Sequence, residues 1–498
     1  MDFLLWRELL EESIPCSLTR SCTLQHKQVA TACEKFCTLR SATAPSTGAK
    51  PKEFRKGQEK ASINCNRPHD TAKTLPLRLS HPVFGNFMDE CKSFRSTPDD
   101  REFLNEFVEA MSKIYDAEKD RQTAILELFV TAGIAMQPNK IIGTDYTTDS
   151  SCFFAGRLLY VLAELKNEVC STNCEPYLQA VLYFLEATRK YAPQYINSGL
   201  PCMILLIFGM FTWELLIVYS CRMCIGPYIA FAGATWTGKP NVQMLSTAIP
   251  CHYHNSDIKM RDMLLRHLGA FRNASRSLEQ YYKELAPSSP SDPLSQCNPT
   301  YPYPTSYTSG STTYTFRYSS ELTSEHNFVF FGNLDSSIDR QKLCIKFTHQ
   351  YGEDVHRFCA AKGHAPKLDA VQRLPGGFFM VVMEDIGEEY IDLHSFVDNN
   401  QEIRSSSAYT DLKEKIQQFL EEMHQAGWVH GDLRSTNVMV KKSGLDGSFL
   451  FIDFDWSGRN QEVVYPSFLN TTGVERPEGA DDGEPILSLH DVNMLSYF

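Results

Sequence analysis

The sequence predicts an α+β multi-domain chain: two mixed globular units with a loose joint between them. Three observations carry that reading. Both halves mix segments of three-and-four apolar spacing with short alternating or continuous apolar runs, the signatures of helices and strands. Residues 286–312 (APSSPSDPLSQCNPTYPYPTSYTSGST) are too dense in Pro, Ser and Tyr to build a core. The 498 residues exceed an average domain several-fold, and 43% hydrophobic with 22% charged is an ordinary globular composition that excludes a rod or a wholly disordered chain.

A net charge of −12, from 48 basic and 60 acidic residues, excludes a uniformly basic nucleic-acid binder while allowing a local basic face. The first residues, MDFLLWRE, place Arg7 and Glu8 where a secretory leader needs an apolar stretch. The 16 cysteines are therefore expected to be reduced thiols of an intracellular protein, in cytoplasm or nucleus. Met203–Tyr219 (MILLIFGMFTWELLIVY) carries one charge, Glu214, and sits at the short end of membrane-span length. Gly, Glu and the preceding Pro201 argue against lipid, so no membrane is expected. A core strand, an insertion and a membrane segment remain open for residues 203–225, with Gly226–Gly233 as a partner strand.

Residues 1–77 lack sustained periodicity and read as a flexible basic arm, because basic residues outnumber acidic ones from Arg20 to Lys73. Residues 78–285 form the first unit. Phe103–Tyr115 and Arg121–Thr131 read as amphipathic helices and Phe153–Lys166 as β-rich. A helix over about Tyr177–Tyr191, two apolar strands and a long helix over Ile258–Leu285 follow. Residues 286–312 are the linker and 313–498 the second unit.

The densest chemical signal lies in the second unit. His430-Gly431-Asp432-Leu433-Arg434-Ser435-Thr436-Asn437 is followed, sixteen residues after Asn437, by Asp453-Phe454-Asp455. Moving a phosphoryl group needs a carboxylate to orient the attacking hydroxyl, and ligands for a cation that neutralises phosphate charge. Asp432 suits the first task and Arg434 shares its loop; these are the catalytic candidates. Asn437 and Asp453, which ends the apolar strand Phe449–Ile452, are the candidate Mg²⁺ ligands. Lys346 lies in the alternating strand Leu343–Phe347, which aims a cation at one face, as pairing with ATP phosphates requires. Val381–Asp385 reads as a strand entering a hinge, where Met383, Glu384 and Asp385 offer backbone hydrogen bonds to an adenine. Asp411–Met423 reads as an amphipathic helix that leads, past Gly427, into the His430 loop.

Together these residues resemble the protein-kinase-like superfamily over residues 313–498. VHGDLRSTNVMV, FIDFDWSG, YGEDVHRFCAAKGHAPKL and HDVNML resemble the fungal-type kinase-like proteins, which include crinkler-like effectors. That resemblance implies a bilobal kinase-like fold and Ser/Thr kinase activity with ATP and Mg²⁺. Asp432 would then be the catalytic base, Asn437 and Asp453 the metal ligands, Lys346 the ATP anchor, and Asp491 the buried carboxylate tying the catalytic loop to the following helix. The sequence also departs from the pattern. Ser319-Ser320-Glu321-Leu322-Thr323 stands where a glycine-rich loop is expected, Gly431 replaces an Arg, and Asp455 replaces the Gly of DFG. Glu353 is the candidate ion-pair partner of Lys346. Little chain follows Asp453 and no APE motif appears, so a conventional peptide acceptor is less expected. The protein substrate is not legible, and a pseudokinase is the alternative.

In the first unit Asp149 precedes Glu164-Leu165-Lys166 by fifteen residues. On a strand Glu164 and Lys166 share a face, and Asp149 of the hairpin's preceding strand joins them. Two carboxylates and a lysine are the parts of Mg²⁺-dependent phosphodiester hydrolysis. Gln179 and Tyr183 lie four apart, on one side of a helix. The series resembles the PD-(D/E)xK restriction-endonuclease-like superfamily, which implies an α/β domain of that fold and makes nucleic acid a candidate partner. The LKNEV segment after Ala163-Glu164 resembles one that precedes the kinase unit in the fungal proteins. The plainer reading is an exposed strand face with surface ion pairs. Cys221 and Cys224 have zinc-ligand spacing, with Cys251, His252 and His254 as a second half, but buried thiols are the preferred reading.

Overall fold

Residues 18–69, 74–115, 118–166, 174–208, 211–212, 224–225, 227–285, 298–323, 328–335 and 341–498 are described in the computed structural model of the protein. They divide into two units, Cys16–Pro304 and Thr305–Phe498.

The first unit begins with helices α1 (Leu18–Leu39) and α2 (Pro51–Lys60), then α3 (Pro82–Ser93), α4 (Pro98–Ser112) and α5 (Glu118–Thr131). Proline opens α2, α3 and α4, where its missing N–H costs nothing and its fixed φ suits the first turn. Thr97 and Asp100 close a capping box on α4. Strands β1 (Ser150–Phe154) and β2 (Leu158–Lys166) form a hairpin. Helix α6 (Pro176–Thr188) carries the chain to β3 (Cys202–Phe208), which pairs parallel to β2. β4 (Tyr228–Trp236) and β5 (Pro240–Met244) extend the sheet antiparallel, and α7 (Ile258–Glu284) follows. The period-2 alternation of β3 divides two cores. Ile204 and Leu206 pack with Val29, Phe36, Phe54 and Leu182, whereas Met203, Leu205 and Ile207 pack with Phe84, Phe107, Phe129 and Phe271.

This arrangement corrects the expectation of a flexible arm. From Leu18 to Lys60 the segment is largely helical, and Val29, Cys33, Phe36 and Phe54 are buried in the core. The apolar positions are spaced for burial, but Ser, Thr, Gly and Lys between them mask the pattern. Met203–Phe208 is a central strand, so the start of the apolar run is core. Glu214 and Cys221 lie outside the described residues, as do Arg7, Glu8, Asn167 and Glu168. Among the described residues no helix is long and apolar enough to cross a membrane.

The second unit opens with β6 (Ser306–Ser309), β7 (Thr312–Thr323), β8 (Phe328–Leu334) and β9 (Lys342–Thr348). After α8 (Glu353–Ala361) come β10 (Leu368–Arg373) and β11 (Phe379–Glu384). The six strands form one antiparallel sheet in the order β10-β11-β9-β8-β7-β6. The end of the expected linker is thus part of this sheet, since Tyr307 is buried and stacks on Tyr314 at 5.3 Å. The place expected for a glycine-rich loop is the end of β7. Beyond the sheet follow β12 (Tyr390–Asp392), α9 (Leu393–Asp398), α10 (Ser407–Gln425), β13 (Val438–Lys441), β14 (Phe449–Phe451) and α11 (Ser488–Ser496). Leu412, Ile416, Phe419 and Leu420 of α10 close over Phe449, Phe451 and Met494 in a second core.

Phe36→Ala tests whether α1 belongs to the first unit. Its ring meets Trp236 edge-on at 5.9 Å, so truncation should cost about 3–5 kcal/mol in chemical denaturation, whereas a flexible arm would register no change.

Candidate active site

Lys346 is built into β9 at the position where the strand's alternation turns it away from Leu343, Ile345 and Phe347. It is buried, and its Nζ lies 2.6 Å from Asp453 Oδ1 and 2.7 Å from Asp455 Oδ1. Thr348, two residues along the same strand face, donates its hydroxyl to Asp455 Oδ2 at 2.9 Å. Burial disfavours the Lys346 charge, but the two carboxylates outweigh it and raise the ammonium above its ordinary range. Burial likewise opposes ionisation of Asp453, and Lys346 overcomes it to leave this carboxyl below its usual value. Burial, opposed by Lys346 and assisted by Asp453, pushes Asp455 up to about 6.

The Asp453-Phe454-Asp455 turn is gripped from the α8 side. Asp453 has φ 67° and ψ 64°, the left-handed region that a side chain rarely adopts, so surrounding contacts must hold it. Gly352 N–H donates to Phe454 O at 2.8 Å, and a Cβ on Gly352 would lie 2.4 Å from Ser457 O. His356, fully buried, stacks on the Phe454 ring with centroids 4.5 Å apart. Its Nε2–H donates to the Pro366 carbonyl at 2.8 Å, which leaves Nδ1 to accept the Tyr351 hydroxyl at 2.6 Å. Burial pushes His356 down to about 4. Glu353 does not pair with Lys346. It lies in the first turn of α8 and bonds Arg357 at 2.8 Å, while the helix buries Val355, His356 and Cys359.

The catalytic-loop candidates converge behind this turn. Asp432 Oδ2 accepts from Arg434 at 2.8 Å, and Oδ1 accepts from Arg476 Nη1 at 2.7 Å. Asn437 Nδ2 donates to Asp432 O at 2.8 Å. Ile452, just before Asp453, donates its N–H to Asn437 O at 3.0 Å, and its carbonyl meets His430 Nε2 at 3.1 Å. Asp491 accepts the N–H groups of His430 and Gly431 at 2.8 and 2.9 Å, the tether expected of it. Gly431 has φ 84°, and a Cβ there would lie 2.9 Å from Trp456 O. The close approach explains the glycine at that point. At the hinge, Met383 is buried, while Glu384 and Asp385 donate their N–H groups to Lys367 O (3.0 Å) and Lys342 O (3.3 Å). Both N–H groups expected to meet an adenine are therefore already bonded within the protein.

Sequence reasoning missed Arg476, which reaches Asp432 from an irregular loop 44 residues away and lies over Trp456 at 5.2 Å. No local pattern announces such a contact. It also read Asp455 as a departure rather than a partner. The donor set of one carboxylate, Asp453, and one amide oxygen, Asn437, fits Mg²⁺, which takes few protein ligands and leaves positions for phosphate and water.

In the first unit Asp149, Glu164 and Lys166 do come together. Lys166 Nζ lies 2.7 Å from Glu164 Oε1 and 3.5 Å from Asp149 Oδ2, which also accepts Leu165 N–H at 3.1 Å. Glu164 is fully buried, so an exposed strand face is excluded. Burial, then Asp149, raises its carboxyl well above the usual range. Tyr183 donates to Thr147 O at 2.8 Å and is pushed up to about 12 by burial; Gln179, also buried, bonds it. Cys251 is buried, and among the described residues no group of three or more His, Cys, Asp or Glu is gathered for a metal ion.

Comparison with known proteins finds a partial likeness to kinases. The profile of the lipopolysaccharide kinase (Kdo/WaaP) family matches residues 374–464, which include Asp432, Asn437 and Asp453. No curated protein matches the chain. Among solved structures it is similar in part to vaccinia related kinase 3, at 13% identity and TM-score 0.29, covering 39% of this chain and 65% of that one. It is also similar in part to the Cydia pomonella granulovirus kinase PK-1, at 14% identity and TM-score 0.25, covering 30% of this chain and 57% of that one. The chain thus spans less than two thirds of either kinase. Residues 374–464 are thus similar in sequence to a lipopolysaccharide kinase family.

Two outcomes follow from the geometry. Asp491→Ala leaves two buried N–H groups unpaired and should cost about 3 kcal/mol, read as a lower melting temperature. His356 binds its proton less readily folded than unfolded, so stability is full above about pH 6.5 and falls as the pH drops toward 4. The loss reaches roughly 3 kcal/mol, and His356→Phe should flatten the melting profile over that window.

Proposed function

We propose that the second unit is an ATP- and Mg²⁺-dependent phosphotransferase acting on a hydroxyl group, with a protein Ser or Thr as acceptor. One observation carries the reading: Lys346 meets Asp453 at 2.6 Å, while Ile452 beside it is bonded to both His430 and Asn437. That linkage supports a reading in which cation, metal ligands and base border one cleft, as phosphoryl transfer demands. Lys346 holds the nucleotide phosphates, and Asp453 and Asn437 hold Mg²⁺. The ion, when bound, neutralises phosphate charge. Asp432 accepts the acceptor's hydrogen bond and takes its proton, while Arg434 and Arg476 fix the carboxylate in place. A sugar hydroxyl is the competing acceptor, favoured by the lipopolysaccharide kinase match.

The test is transfer of radiolabelled phosphate by the full chain to protein and to sugar acceptors. Asp432→Ala should lower the rate about 10²–10⁴-fold while the melting shift with Mg²⁺–ATP persists; unchanged transfer contradicts the assignment.

A second reading concerns the first unit, because Asp149, Glu164, Lys166, Tyr183 and Gln179 do cluster. We infer a nuclease-derived site facing nucleic acid there, as the sequence series suggests. Incubation of plasmid and single-stranded DNA with the full chain and Mg²⁺ or Mn²⁺ should give cleavage that Glu164→Ala removes. Intact substrates under all these conditions remove the catalytic version of this reading.

A further inference from the structure

A lysine that must lie against phosphates needs a fixed anionic partner, because a free four-carbon stem samples many rotamers. The usual source, an acid on the helix after the lysine strand, is not available to Lys346: Glu353 is turned outward to Arg357, and α8 buries Val355, His356 and Cys359. Asp453 touches Lys346, but that carboxylate is the one the cation must share. Asp455 has no such second duty. Its Oδ1 lies 2.7 Å from Lys346 Nζ, and its Oδ2 accepts the Thr348 hydroxyl at 2.9 Å, the shorter of that hydroxyl's two contacts. Lys346 and Thr348 stand two apart on β9, so one carboxylate bridges both, through a hydrogen bond at Oδ2 and an ion-pair contact at Oδ1. Phe454, held by His356 and Gly352, fixes the backbone from which Asp455 projects.

We propose that Asp455 is the positioning residue for Lys346, supplying from the Asp453-Phe454-Asp455 turn the counter-charge that the helix lacks. The proposal rests on the phosphotransferase reading, and it adds that the lysine's tether and the metal ligand sit on the same turn. Closing the turn therefore sets both groups at once, and any motion of Phe454 away from His356 releases both.

The experiment uses the full-length chain and compares Asp455→Asn with Glu353→Gln. In nucleotide-free protein, acetylation of Lys346 by an amine-reactive N-hydroxysuccinimide ester, followed by peptide mass spectrometry, should run several-fold faster in Asp455→Asn and at the wild-type rate in Glu353→Gln. With Mg²⁺–ATP, the Asp455→Asn KM for ATP should rise about tenfold, with partial recovery in Asp455→Glu and a smaller rise in Thr348→Val. The Thr348→Val labelling rate decides the matter if Asp455→Asn does not fold, since it loosens the tether and keeps the carboxylate. Wild-type labelling in both Asp455→Asn and Thr348→Val, or faster labelling in Glu353→Gln instead, overturns the proposal. A wild-type chain that never turns over ATP removes the phosphotransferase reading, and the labelling rates still decide the tether.

Discussion

A lysine ammonium buried between two carboxylates organises the second unit. Desolvating three charges is costly, and the arrangement stands because each is answered within 2.7 Å and two of the partners come from one turn. That turn is in a backbone conformation disfavoured for aspartate, and its retention depends on contacts from outside: the His356 stack, the Gly352 N–H and the Thr348 hydroxyl. On the opposite side, Asp491 and Ile452 hold the loop that carries Asp432 and Asn437. The strand, the turn and the loop thus form one hydrogen-bonded block.

The local patterns that announced this block were strong. HGDLRSTN and DFD are short, polar and flanked by apolar segments, so a loop and a strand end were legible, as were α10 and β9 from their spacing. What the sequence concealed is contact at a distance. The sequence offers Glu353 as the partner of Lys346, whereas in the first turn of α8 it bonds Arg357. Arg476 reaches Asp432 across an irregular segment with no periodicity to read.

In the first unit the near-continuous apolar runs of β2 and β3 were legible as strands, because both faces of the sheet are buried, and the long α7 was legible as a helix. The N-terminal helices were not. α1 has a polar surface and no acidic first turn or basic last turn, so its caps and charge gave no signal, and its buried stripe of Val29, Cys33 and Phe36 shows only against Trp236 and α6. The cluster of Asp149, Glu164 and Lys166 was legible as a series but not as a buried one; depth is a property of packing that letters do not carry.

The central claim is that Lys346 and the turn opposite it form a nucleotide–metal site. Titration calorimetry of ATP into the full chain, with and without Mg²⁺, beside Lys346→Met, tests it most directly. The account predicts saturable heat that strengthens with Mg²⁺ and disappears in the variant. Equal heats from the wild type and Lys346→Met, or none from either, would contradict it.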